Sequence, residues 1–252
     1  MSELKLGKKP ADHEAVRLGL QLRSFVDVSQ DPPLLIGRVN LIRAWGMLGN
    51  DQVADCVWAD AAHGTMQWRA AANVDVPAFT DQNVIDAYAA VTGYDPADSS
   101  TDNGTGMQEA IADRKATGII DSAGARHTLE GSLALRPGDV RELALAVYHF
   151  GVVSLGLDLP VSAVGQFERA EPWDLLAMPG AKSGHCVTVI GRNSLGNFIA
   201  VTWGRLQAIT PRFVGVYMDE GYAYFSKDML RSDGFSPRGV NRDGLLTTLG
   251  GL

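Results

Sequence analysis

With only two cysteines in 252 residues, Cys56 and Cys186, the chain has too few to hold a loop-rich fold together by disulfides. It also has no run of about 18 apolar residues, so no transmembrane helix is expected. Basic residues are in deficit, 22 against 29 acidic, for a net charge of −7. No basic cluster reverses that balance locally, and a surface of this sign disfavours nucleic acid and anionic membranes as partners. The opening "MSELKLGKKPADHEAVRLGLQ" carries charges but no apolar core of a secretory signal. These absences point to an intracellular protein in a reducing setting, either cytoplasmic or packaged into a larger particle.

What is present is ordinary for a chain that buries a core: 46% hydrophobic and 20% charged residues. Residues 1–45, with the Pro pair in "SQDPPLLIGRVN", read as an extended arm on the body. From 46 to 136 the pattern is helical. Asp55 is placed to cap a helix running to about residue 72, its carboxylate accepting from first-turn amides. "TDQNVIDAYAAVTGYDP" is a short amphipathic helix stopped at Gly93. Residues 95–106 form a polar surface loop, and a further helix covers 107–117. From 137 to 230 the character changes. "RPGDVRELALAVYHFG" is a helix and "VVSLGLDLP" a buried strand. "HCVTVIGR" and "NFIAVTWG" form a hairpin through "NSLG", and "RFVGVYM" and "GYAYFS" supply two more strands. Residues 231–252 make a C-terminal tail. A helical half followed by a sheet-rich half is an α+β protein with two lobes and a cleft between them.

Cys56 stands at the start of the first long helix, and two readings of it are open. A free cysteine is commonly a small core residue. At a helix N-terminus, the aligned peptide dipoles also favour a thiolate. A nucleophile needs a base. His63 lies seven residues on, about 10 Å along the helix axis, which is too far for proton transfer. His185 opens a strand after a glycine and can project across the cleft. It follows Cys56 by 129 residues, near the spacing of roughly 130 seen in papain-type enzymes.

The flanks carry a resemblance. "GHCVTVIGR", "VTWG" with Trp203 eighteen residues after His185, "DEGYAYFS", and "LALAVYHFGVVSLGLDLP" resemble the His-bearing lobe of the papain-like cysteine peptidase superfamily. "GMLGNDQVADC" and the "LGKKP" arm are similar to uncharacterised phage and prophage papain-like proteins. The resemblance implies a papain-like two-lobed fold, a helical lobe against an antiparallel, barrel-like sheet lobe. It implies a peptidase or amidase that works through a thioester and uses no cofactor or metal. Residue by residue, it implies Cys56 as the attacking thiolate and His185 as base and then acid. Asn50, six residues before the cysteine, would donate to the oxyanion beside the Cys56 N–H. Asp51 and Gln52 are neighbours able to substitute, and Trp203 would shield the histidine from water.

One position departs from the pattern. The residue expected to orient the imidazole is Val201, which accepts no hydrogen bond. Thr202 is adjacent but, by strand alternation, should face away from Trp203. The sequence therefore supports a Cys–His dyad. The rival is a catalytically weak or inactive relative that serves as a structural or interaction protein of a phage particle, contacting other phage structural proteins through its two irregular ends. On the first reading the partner is a peptide or amide substrate.

Overall fold

A computed structural model describes residues 4–236, 238 and 239; most of the expected tail, 231–252, lies outside them. The helices are α1 (His13–Leu18), α2 (Cys56–Ala71), α3 (Asp81–Thr92), α4 (Met107–Ala116), α5 (Val140–Phe150), α6 (Val161–Glu168) and α7 (Pro211–Tyr217). The strands are β1 (Ile119–Ile120), β2 (Arg126–His127), β3 (Gly131–Ala134), β4 (Val153–Pro160), β5 (Lys182–Arg192), β6 (Phe198–Thr202), β7 (Arg205–Ile209) and β8 (Met218–Phe225). Six strands form one antiparallel sheet in the order β3-β8-β4-β5-β6-β7, and β1 pairs with β2 apart from it. The sheet is open and does not close into a barrel.

The core explains the patterns. α2 is buried without a break from Cys56 to Trp68, because its small residues (Ala59, Ala61, Ala62, Gly64) let other elements approach on every side. One side lies on β5, where Gly64 leaves room for the Val152 side chain. Some of the buried polar side chains pair across the elements: the Asp60 carboxylate accepts from Thr188 Oγ1 at 2.7 Å and from Ser154 Oγ, and Trp68 Nε1 donates to the Phe150 carbonyl at 2.9 Å. β5 is buried continuously from His185 to Gly191, as a strand covered on both faces must be. α3 and α5 end where Gly93 and Gly151 take left-handed conformations.

Three local expectations change. Residues 213–217 are helical, not extended. Thr210 caps α7, with its hydroxyl accepting from the Phe213 N–H, Pro211 opens the helix, and Phe213, Val214 and Tyr217 share its buried face. Asp55 precedes α2 but makes no side-chain cap bond; its carboxylate turns instead over Gly49. α6 and β7, short and weakly patterned, were not legible in the sequence. β3, ahead of residue 137, is the sheet's edge strand.

A second buried cluster ties β2 to the turn at residues 227–229. His127 Nδ1 lies 3.1 Å from Asp228 Oδ1 and Nε2 3.4 Å from Asp121 Oδ2. Burial opposes the charged ring, but the two carboxylates outweigh it and raise the His127 pKa above 6.5. A raised folded pKa contributes stability that is complete below the unfolded value and lost as pH rises through the folded one. His127→Gln is therefore expected to destabilise most below pH 6.5 and progressively less at higher pH, measured by denaturant titration across that range.

Candidate active site

Cys56 is the first residue of α2 and is 1% exposed. Asp55 does not cap the helix, and no hydrogen bond from the Cys56 N–H is seen among the described residues. An uncapped helix start keeps a partial positive charge available to an anion. The thiol itself is near the backbone of Cys186 on β5 and of Gly7 in the arm; both favour the thiolate, but burial dominates and pushes its pKa up to about 12. The expected lowering by the helix terminus does not prevail here. A terminus contributes about 0.3–2 kcal/mol, against several kcal/mol for taking an ion out of water.

His185 is fully buried on β5, one residue before Cys186. Nε2 is 2.7 Å from Thr202 Oγ1. The ring stacks on Trp203 at 4.4 Å and 18°, and Trp173 lies edge-on at 6.4 Å. This apolar box holds the imidazole neutral, with burial driving its pKa down to about 3. Nδ1 is buried without a partner, and no hydrogen bond joins it to the Cys56 sulfur among the described residues. The resting pair is neutral on both sides.

For the thiol, part of the cover is the arm. Residues 4–9 of the arm run along the cleft, half-buried except for Lys8, which is buried. Lys5 N–H donates to the Asn50 carbonyl at 3.2 Å, Lys8 N–H to Gly184 at 3.1 Å, and Lys9 N–H to Thr105 at 3.0 Å; Thr105 N–H donates back to Gly7 at 2.8 Å. The Lys5 carbonyl accepts from Trp203 Nε1 at 3.1 Å and from Asn50 Nδ2 at 3.4 Å. The approach is so close that a Cβ on Gly7 would stand 1.9 Å from the Ala54 carbonyl oxygen, and one on Gly184 1.9 Å from that of Lys8. Residues 4–9 close the cleft.

Of the other expected residues, Asn50 is buried with its amide turned toward the arm carbonyl. Asp51 has one buried oxygen without a partner among the described residues. Gln52 points away, its Nε2 donating to Asp81 at the start of α3 at 3.0 Å. Val201 is buried in the core. Thr202 and Trp203 both reach His185, contrary to alternation, because β6 ends at Thr202 and Trp203 adopts φ 44°. His63 lies elsewhere, its Nε2 3.1 Å from the Trp45 carbonyl oxygen.

No protein-family model and no curated protein matches the chain. Solved structures do. Xylellain, a cysteine protease from Xylella fastidiosa, superposes with TM-score 0.65 at 11% identity over 89% of this chain and 98% of that one. Digestive procathepsin L 3 of the Tenebrio molitor larval midgut gives 0.60 at 16%, over 88% and 76%. Procathepsin B S9 from Trypanosoma congolense gives 0.59 at 11%, over 88% and 87%. The fold is that of the papain-like cysteine proteases.

Within this papain-like fold, three features of the cleft escaped sequence reasoning. Trp173 comes from the irregular segment after α6. The Thr202 contact depends on the turn at Trp203. Lys8, in the basic run "LGKKP", lodges against the acidic "DE" of β8, and only their opposite charges hinted at a meeting. Removing the hydroxyl by Thr202→Val leaves a buried ring nitrogen unpaired, at a cost of about 1–3 kcal/mol. Denaturant unfolding should show that loss and nitrogen NMR a displaced Nε2 resonance, while Thr202→Ser should restore most of both.

Proposed function

We propose that the protein is a cysteine hydrolase, a peptidase or amidase acting through Cys56 and His185. The observation that carries the reading is the shared cleft: a cysteine at an uncapped helix start, against the strand that bears a stacked, hydrogen-bonded histidine. The Cys56 thiol gives its proton to His185, and the resulting thiolate attacks the carbonyl carbon. The oxyanion is held by the Cys56 N–H and Asn50 Nδ2. As the C–N bond breaks, the imidazolium protonates the departing amine, leaving a thioester. Water then attacks that thioester, giving a proton to His185, which returns it to the sulfur as the acid leaves. Thr202, in place of a carboxamide, fixes the imidazole, so the site works as a dyad with a hydroxyl support. Trp203 keeps water from the ring. Phage or prophage origin fits the "GMLGNDQVADC" and "LGKKP" segments, with the protein cytoplasmic or virion-associated.

This chemistry requires the arm to leave. Burial holds thiol and imidazole neutral, and the arm's backbone covers the sulfur. Gly7→Val cannot seat the arm, since its side chain would overlap the Ala54 carbonyl, yet it alters no cleft-lining residue. In the full-length Gly7→Val chain, hydrolysis of a mixed peptide library, read by mass spectrometry, should appear with a transient acyl-enzyme on Cys56. Cys56→Ala should abolish both, and His185→Ala should slow turnover by about 10²–10⁴-fold.

The filled cleft also favours a second reading, an inactive papain-like fold that is a structural or interaction protein of a phage particle. On that reading the Gly7→Val chain forms no acyl-enzyme, and the protein is found in purified particles.

A further inference from the structure

Lys8 is the only buried lysine among the described residues, 4% exposed. Its ammonium is 2.7 Å from Asp219 Oδ2 and 3.1 Å from Glu220 Oε1, and donates to the Lys9 carbonyl at 2.9 Å. The stem crosses β4 at Gly156. A Cβ there would stand 2.9 Å from Lys8 Cδ, 2.8 Å from Glu220 Cγ and 2.7 Å from Met107 Sδ. The absence of a side chain at that position makes the pocket. Met107 lines the alkyl stem, and Tyr222 Oη, donating to Glu220 Oε2 at 3.1 Å, fixes the second oxygen of the carboxylate.

The location gives the pocket its meaning. Gly156 pairs in register with Cys186 on one side and Glu220 on the other. The Lys8 backbone N–H donates to Gly184, the neighbour of His185, and the Gly7 backbone lies at the Cys56 thiol. The Lys8 side chain therefore leaves the arm one residue after the backbone that meets the sulfur. When the arm leaves, Asp219 and Glu220, side by side on β8, lose the ammonium that bridges them. Two adjacent carboxylates repel each other, and covering them with a neutral side chain takes their charge out of water without compensating it. An incoming cation compensates it.

We propose that Gly156, Asp219 and Glu220 form the specificity pocket of the cleft, selecting peptides with a lysine or arginine side chain, and that Lys8 occupies it in cis. This rests on Cys56 being the nucleophile, so the test separates the two claims. Full-length Gly7→Val is treated with iodoacetamide, which ignores the pocket. It is also treated with peptidyl fluoromethyl ketones carrying Lys, Arg, norleucine or Glu at each of the three positions nearest the electrophile. Lys8→Ala serves as a second arm-loosened chain should Gly7→Val fold poorly. At one position Lys and Arg probes should label Cys56 at least about tenfold faster than norleucine, with Glu slowest. Adding Glu220→Gln should shrink the Lys-to-norleucine ratio to about threefold or less. Norleucine labelling as fast as Lys at all three positions, with iodoacetamide still reacting, overturns the pocket and leaves the nucleophile. Loss of iodoacetamide labelling in both chains overturns the nucleophile, and the pocket with it.

Discussion

The packing of α2 against β5 is the constraint on which the cleft depends. α2 is buried along its length because its inner residues are small. β5 is buried on both faces, and Thr188 of β5 is pinned to Asp60 of α2. That register brings the first residue of α2 to the backbone of Cys186, the residue after His185 on β5. Cys56 could not be moved one residue along α2 without turning it by about 100° to another face. The core places the two residues on which the proposed chemistry rests.

Electrostatics then set the state of the pair. A thiol pushed up to about 12 and an imidazole driven down to about 3 are the signature of a dry seam, not of a working ion pair. Both shifts come first from burial, and the arm contributes part of the cover. The arm is held by main-chain hydrogen bonds spaced along residues 5–9 and by one ammonium among carboxylates. These contacts are of the kind a bound peptide makes on a strand edge. The same cleft that excludes water from the histidine is closed to other chains while residues 4–9 remain.

Much of this was legible in the sequence where pattern follows backbone period. The helix from Cys56, the strand from His185 and the hairpin to Trp203 all declared themselves by apolar runs and turn residues, and the papain-like resemblance joined them across 129 positions. What was not legible depended on single dihedrals or on long-range charge. Strand alternation misplaced Thr202 because Trp203 has a positive φ. "RFVGVYM" suits a strand by composition, yet Thr210 and Pro211 start a helix there. Asp55 has the residue type of a cap, but its carboxylate was drawn over Gly49. The arm was read as irregular, and nothing local in "LGKKP" says that its lysine is buried against residues more than two hundred positions away.

The central claim is that a latent thiolate–imidazolium pair lies beneath the arm. Its most direct test is the pH dependence of Cys56 alkylation in the native chain, in Gly7→Val, and in Gly7→Val with His185→Ala. The account predicts a thiol that ionises only near pH 12 in the native chain, ionises at markedly lower pH once the arm is displaced, and moves back up when the imidazole is removed. A profile unchanged by arm displacement, or lowered equally with and without His185, would contradict it.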